Sequence, residues 1–151
     1  MSDVIRRATA ADIPRLTTLA QDAYVKYVAR IGRRPAPMDP DFATHIGDDE
    51  VDVLERDGAI LGFVIWRCEA DHGFIDNVAV DPAQAGRGLG KALFAWVEAQ
   101  TRRRGLRELR LFTNAKMPEN LAIYPRWGWE QTDRRMQDGF DRVFFRKRLD
   151  P

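Results

Sequence analysis

The sequence predicts a mixed fold of the α/β (α+β) kind: a mostly antiparallel sheet of six to seven strands with one central parallel pair, flanked by about four helices, in a single domain over residues 1–151. Three observations carry this. Between residues 51 and 80, strand-like runs follow one another across short turns, an antiparallel meander unlike the steady strand-helix alternation of a doubly wound sheet. One helical stretch after residue 88 then separates two strands, and a helical crossover joins parallel neighbours. A hairpin signal at Asp138-Gly139 closes the chain with a last antiparallel pair.

Taken in order, residues 3–8 read as an opening strand. Thr9-Ala-Ala-Asp12 is a capping signature, and Pro14 is tolerated in the first turn that follows. Ile13, Leu16, Ala20, Ala23, Tyr24, Tyr27 and Val28 recur at helical spacing to about Ala29, in a helix that is bent or in two pieces. Gly32 through Pro40 holds three prolines and ends it, and residues 40–47 add a helical turn. Residues 51–56 alternate up to Asp57-Gly58, a strong hairpin signal, and residues 59–67 return as a mostly apolar strand. A turn at residues 71–73 leads into the strand 74–80. Leu89, Leu93, Trp96, Val97 and Gln100 form a helical stripe. It closes with Arg102, Arg103 and Arg104, which suit the negative end of the helix dipole, and with Gly105 as C-cap. Residues 108–113 form the strand parallel to 74–80. A short helix after residue 117 ends early, because Pro125 biases the residue before it away from helical backbone.

Composition excludes several classes. With 24 basic and 23 acidic residues the formal net charge is +1, so no nucleic-acid partner and no acidic membrane surface is indicated. The arginine triplet reads as a solvated helix end. No apolar run approaches the length of a membrane span, and the N-terminus lacks the pattern of a signal peptide. Cys68 is the single cysteine, so no internal disulfide forms, which fits a reducing cytoplasm, and its place beside Trp66 reads as a core thiol. No metal site is expected.

The chemistry centres on Val78-Ala79-Val80-Asp-Pro-Ala-Gln-Ala-Gly86-Arg87-Gly88-Leu89-Gly90-Lys91, a strand, a glycine-rich turn and a helix start in succession. Such a turn lets a ligand approach the backbone, and the helix behind it offers unpaired N–H groups and a positive dipole end, an arrangement suited to phosphate. Two phosphate-loop patterns fail on spacing. The P-loop needs glycine where Ala85 stands and a hydroxyl where Ala92 stands, and the dinucleotide fingerprint has Lys91 in place of its third glycine. The spacing V-x-P-x-x-x-G-x-G-x-G that remains resembles motif A of the GNAT superfamily of N-acetyltransferases. One departure is that the residue before Gly86 is Ala85, where that superfamily usually has Arg or Gln, with Gln84 one place early. About thirty-five residues on, Asn120-Leu-Ala-Ile-Tyr124-Pro-Arg-Trp-Gly128-Trp129 resembles its closing segment A-x-x-x-Y-x-x-x-G-[FY], although Met117 stands where an Asn is common.

The resemblance, which follows the order of elements along nearly the whole chain, implies direct transfer of an acetyl group from acetyl-CoA, as co-substrate, to a primary amine of a small molecule or peptide. It implies that the glycine loop holds pyrophosphate, that residues 78–80 line the pantetheine with a backbone N–H such as that of Val78 on the acetyl carbonyl, and that Asn120 contacts the pantetheine. Tyr124 is the implied general acid for the leaving thiolate, and Asp76 the best-placed carboxylate for the amine proton, with His72, His45 and a water chain as alternatives. A strand aspartate is also a common structural residue, so both roles stay open for Asp76. On the acceptor side stand Tyr24 and Tyr27, one turn apart, and the loop bearing Arg33 and Arg34, which with Arg30 leans towards an anionic amine; core packing and a solvated connection are the competing readings. A homodimer is a further expectation. A binding module that senses acyl-CoA without turnover is the alternative function.

Overall fold

A computed structural model describes residues 3–149. Seven strands form one mixed sheet: β1 (Asp3–Arg7), β2 (Val51–Arg56), β3 (Ala59–Cys68), β4 (Gly73–Val80), β5 (Glu108–Asn114), β6 (Glu130–Gln137) and β7 (Phe140–Arg148), in the order β1-β2-β3-β4-β5-β7-β6. β4 and β5 are the parallel pair, with Gly73 beside Leu109 and Phe74 beside Arg110. β1 with β2, β2 with β3, β5 with β7 and β6 with β7 run antiparallel. The described helices are α1 (Ile13–Tyr24), α2 (Lys26–Ile31), α3 (Phe42–Gly47), α4 (Leu89–Arg103) and α5 (Pro118–Arg126), with short 3-10 turns at Ala10–Asp12, Ala36–Met38 and Pro82–Gln84. The chain clusters into two compact units, Met1–Arg67 with Asp76–Val97, and Cys68–Ile75 with Glu98–Pro151.

In the first unit the capping signature works as read. The Thr9 N–H donates to the Asp12 carboxylate at 2.8 Å and the Asp12 N–H to the Thr9 carbonyl at 2.9 Å. Leu16, Leu19 and Ala20 of α1 and Phe42 of α3 pack on Val51, Val53, Phe63, Ile65 and Ala79 of the sheet. Asp57 and Gly58 both have positive φ, 52° and 83°, the type I′ conformation whose twist matches paired strands. One feature carries no local sequence signal: Asp52, 3% exposed, accepts from the indole N–H groups of Trp66 at 2.9 Å and Trp96 at 3.0 Å and from Arg7 Nε at 3.1 Å. A carboxylate buried in an apolar sheet persists only with such partners, and these three tie β1, β3 and α4 to β2.

In the second unit Leu109, Leu111, Met117, Trp129, Val143, Phe145 and Leu149 are buried. Gly105 closes α4 with a Schellman pair, its own N–H to Arg102 O at 2.9 Å and the Leu106 N–H to Thr101 O at 3.2 Å. Helix α5 corrects the expectation of an early end, since it runs through Pro125 to Arg126. Pro125 has no N–H to give the Leu121 carbonyl, a cost confined to the last turn, and the cap that follows holds that turn in place. The Gly128 N–H bonds Pro125 O at 3.2 Å and the Trp129 N–H bonds Tyr124 O at 3.0 Å, with Gly128 at φ 91°. This second Schellman motif seals the helix immediately after Tyr124.

Candidate active site

In the first unit, β4 leads through Asp81 into the glycine turn. The Asp81 carboxylate accepts from the Ala83 N–H at 2.9 Å and from Arg15 Nη2 of α1 at 2.9 Å, while Arg15 Nε donates to the Ile60 carbonyl at 3.1 Å. The turn is thereby pinned to both α1 and β3 at its base. Beyond it, Ala85, Gly86, Arg87 and Gly88 are exposed, and Gly86 and Gly88 sit at φ 79° and 76°, backbone that a side chain disfavours. A methyl placed on either would meet no atom within 4 Å, so the glycines are needed for backbone geometry and leave open space above it. Intrahelical bonding starts with the Ala92 N–H to Gly88 O at 3.0 Å. The N–H groups of Leu89, Gly90 and Lys91 belong to the first turn of α4, whose donors point out of the helix end. Leu89 itself is buried and anchors that end, whereas Lys91 is exposed. This cradle fits a diphosphate.

On β4, Asp76 and Asn77 are consecutive, yet both reach the side of the sheet carrying α1 and α3. Asp76 Oδ2 accepts from Arg67 Nη1 at 3.2 Å, and Arg67 shares its face of β3 with Phe63 and Ile65, which pack against α1. Asn77, 6% exposed, donates to the Pro37 carbonyl at 2.8 Å and meets the Tyr24 hydroxyl through Oδ1 at 2.8 Å. Two neighbouring side chains on one face mean that the two-residue alternation slips by one here, as at a β-bulge. The Tyr24 hydroxyl also lies 2.7 Å from the Val78 carbonyl oxygen. Ala79 and Val80 complete the strand, Ala79 in the α1 core and Val80 beside Gly62 and Gly90.

The other acceptor-side candidates are placed as follows. Tyr27 is 5% exposed, with Lys26 and Arg30 over its ring at 5.1 and 5.2 Å. Arg34 forms a two-pronged pair with Asp39, at 2.7 and 2.6 Å, which holds the Asp39 carboxyl below the usual range. It staples the proline-rich loop, so its charge is already matched, and the lean towards an anionic amine loses that support. Arg33 is exposed. His45 Nδ1 meets Glu50 Oε1 at 2.8 Å within this unit.

In the second unit, Asn120 and Tyr124 lie one turn apart on α5. Asn120 Nδ2 donates to Thr113 Oγ1 of β5 at 3.0 Å and lies 3.7 Å from Met117 Sδ, so its donor side is turned to the protein. Tyr124 packs edge-on against Phe145 at 5.5 Å and near Trp129 at 6.2 Å, the aromatic contact that accompanies its Schellman cap. His72 Nδ1 lies 2.6 Å from Asp71, and this contact lowers the Asp71 carboxyl. Sequence reasoning missed Arg15, Arg67 and Asn77, whose partners are distant in sequence. Asp81 alone had a local signal, as Asp before Pro at a strand end is a turn former.

Comparison with known proteins agrees with this geometry. The profile of the acetyltransferase (GNAT) family matches residues 13–129. The chain is 30% identical over 161 residues to an aminoglycoside N(6')-acetyltransferase type 1 of Stenotrophomonas maltophilia, covering 97% of this chain and 94% of that protein. It is 31% identical over 91 residues to a [ribosomal protein bS18]-alanine N-acetyltransferase of Escherichia coli, covering 60% of this chain and 62% of that one. Among solved structures, PaiA N-acetyltransferase from Thermoplasma acidophilum in complex with coenzyme A superposes with TM-score 0.81 at 18% identity, over 98% of this chain and 99% of that one. A cradle of left-handed glycines at a helix start, β4 and β5 as the parallel pair of a seven-stranded sheet, and a family match across most of its length lead to one conclusion: this chain belongs to the GNAT family and is an acetyltransferase.

Proposed function

We propose that the chain binds acetyl-CoA with its pyrophosphate on the loop Gly86-Arg87-Gly88 and the first turn of α4, and passes the acetyl group directly to a primary amine of a small molecule or peptide. The observation that carries this is the pair of exposed, positive-φ glycines opening onto a helix N-terminus, a cradle for a diphosphate in a chain of this family. Arg87 and Lys91, both exposed, add positive charge there. Residues 78–80 run along the pantetheine, and Asn120, its Nδ2 held by Thr113, accepts a pantetheine N–H through Oδ1.

In the reaction the neutral amine attacks the thioester carbonyl carbon. The C–N bond forms, charge collects on the carbonyl oxygen next to the Val78 N–H, and the C–S bond then breaks. Tyr124 protonates the departing thiolate, and Asp76, held beside Arg67, receives the amine proton through water. The relatives' acceptors, an aminoglycoside and an alanine of ribosomal protein bS18 by their names, supply the first panel of amines. The half-buried, single Cys68 fits a reducing cytoplasm, and among the described residues no helix is long and apolar enough to cross a membrane.

Heat denaturation with and without acetyl-CoA tests the binding half. At ligand a hundredfold above Kd, stabilisation of about 2.7 kcal/mol is expected. Thiol release with kanamycin and with an alanine-initiated peptide tests the transfer half. Tyr124→Phe is expected to lower kcat about a hundredfold or more with acetyl-CoA affinity unchanged. Binding without turnover on any amine would indicate the sensing module instead, and absence of binding would dispose of the phosphate cradle. Asp76→Asn separates its two roles, since a fall in kcat marks the base, whereas lost stability with kcat intact marks only the Arg67 pair.

A further inference from the structure

We infer that Tyr24 is a positioning residue for acetyl transfer and not a wall of the amine pocket: its hydroxyl caps the Val78 carbonyl, so that the edge of β4 offers only the Val78 N–H to the thioester oxygen. The inference rests on the reading that acetyl-CoA lies along residues 78–80.

Strand geometry gives the starting point. Main-chain groups alternate between the two edges of a strand, both groups of one residue pointing to the same edge. Asp81 N–H bonds Leu61 O of β3 at 2.8 Å, and the Ala79 carbonyl lies against Gly62 of β3. Residues 79 and 81 thus direct their groups to β3. Val78 directs its N–H and C=O to the opposite edge. A bare edge of that kind presents a donor and an acceptor side by side, and the acceptor opposes a developing oxyanion as strongly as the donor favours it. Tyr24 removes this conflict. Its hydroxyl lies 2.7 Å from the Val78 oxygen and 2.8 Å from Asn77 Oδ1, so its single proton bridges these two acceptors, draws electron density from the Val78 carbonyl and leaves the N–H as the group presented to the ligand.

Asn77 fixes the hydroxyl from its other side. Asn77 Oδ1 lies 2.8 Å from it, and the orientation of that amide is set by its Nδ2, which donates to Pro37 O at 2.8 Å in the loop between α2 and α3. Asn77 is buried, so this amide has few other orientations available. Tyr27, the neighbouring tyrosine with its ring 6.3 Å from that of Tyr24, provides an internal control.

The test needs no knowledge of the acceptor. Acetyl-CoA labelled with carbon-13 at the thioester carbonyl is bound to wild type, Tyr24→Phe and Tyr27→Phe, and the carbonyl stretch is read by isotope-difference infrared spectroscopy, with Kd from calorimetry and folding from the melting curve. In wild type the bound carbonyl is expected to absorb at lower frequency than in free acetyl-CoA. In Tyr24→Phe the band returns towards the free value with Kd changed less than about threefold, and in Tyr27→Phe it stays at the wild-type position. On whichever amine wild type turns over, kcat falls about tenfold or more in Tyr24→Phe with the amine KM retained. An unshifted band in wild type, or a wild-type band in folded Tyr24→Phe, overturns the inference while leaving acetyl-CoA binding intact, and so does a rise in amine KM alone. If wild type does not bind acetyl-CoA, the functional reading fails and this inference falls with it.

Discussion

Asp12 shows how much a single side chain does here. It receives two prongs from Arg6 and the Thr9 N–H, and these hold its carboxyl below the usual value near 4. A depressed folded-state value means stability that is present above pH 4 and is lost as pH falls through the folded value. Asp12→Asn is therefore expected to lose about 1 kcal/mol at pH 7, a difference that narrows as urea unfolding is repeated from pH 5 down to pH 3. A constant difference across that range would contradict the assignment. At the same scale, Arg15→Ala is expected to weaken acetyl-CoA binding several-fold, by releasing Asp81 at the base of the glycine turn, with little effect on kcat at saturation. What was legible in the sequence at this scale were residues whose role is set by their own backbone: Gly86, Gly88, Gly128, and Thr9 with Asp12. What was not legible were partners 40 to 66 positions apart, Asn77 with Pro37, Arg15 with Ile60 and Asp81. No local spacing encodes a pair that only the folded sheet brings together. Tyr24 illustrates the same limit, because its helical spacing placed it on an apolar face while its hydroxyl answers to β4.

At the scale of elements, the two glycine motifs make opposite predictions about function. Gly128→Ala forces a left-handed position and presses on Lys147 Cε at 3.3 Å, so it is expected to cost about 1 to 2 kcal/mol and lower Tm by several degrees. Gly88→Ala carries similar backbone strain but projects into open space, so acetyl-CoA affinity is expected to fall about tenfold, as measured by calorimetry. Asp52→Ala removes the buried carboxylate that accepts from the Trp66 and Trp96 indole N–H groups and from Arg7, and is expected to cost about 3 kcal/mol or more in urea unfolding. The strands, both Asp-Gly hairpins and the helical crossover were legible because turn chemistry and periodicity are local. The extent of α5 was not, since Pro125 argues against the helix locally and the Gly128 cap that rescues it lies beyond the segment being judged.

At the scale of the molecule, the meander followed by one crossover already separated this fold from a doubly wound sheet, and the order of the seven strands bears that out. Family membership follows from matches that span most of the chain, whereas no motif in the sequence encodes the acceptor amine. Transfer of acetyl from acetyl-CoA to a primary amine ties every thiol released to one amine acetylated. The most direct measurement is thiol release from acetyl-CoA across a panel of primary amines, each matched with its N-acetylated form, with product mass recorded in the same reaction. Release is expected to require the primary amine, to be absent with the acetylated form, and to equal the amount of acetylated product. Release that proceeds equally without an amine, or binding with no release on any member of the panel, would contradict it.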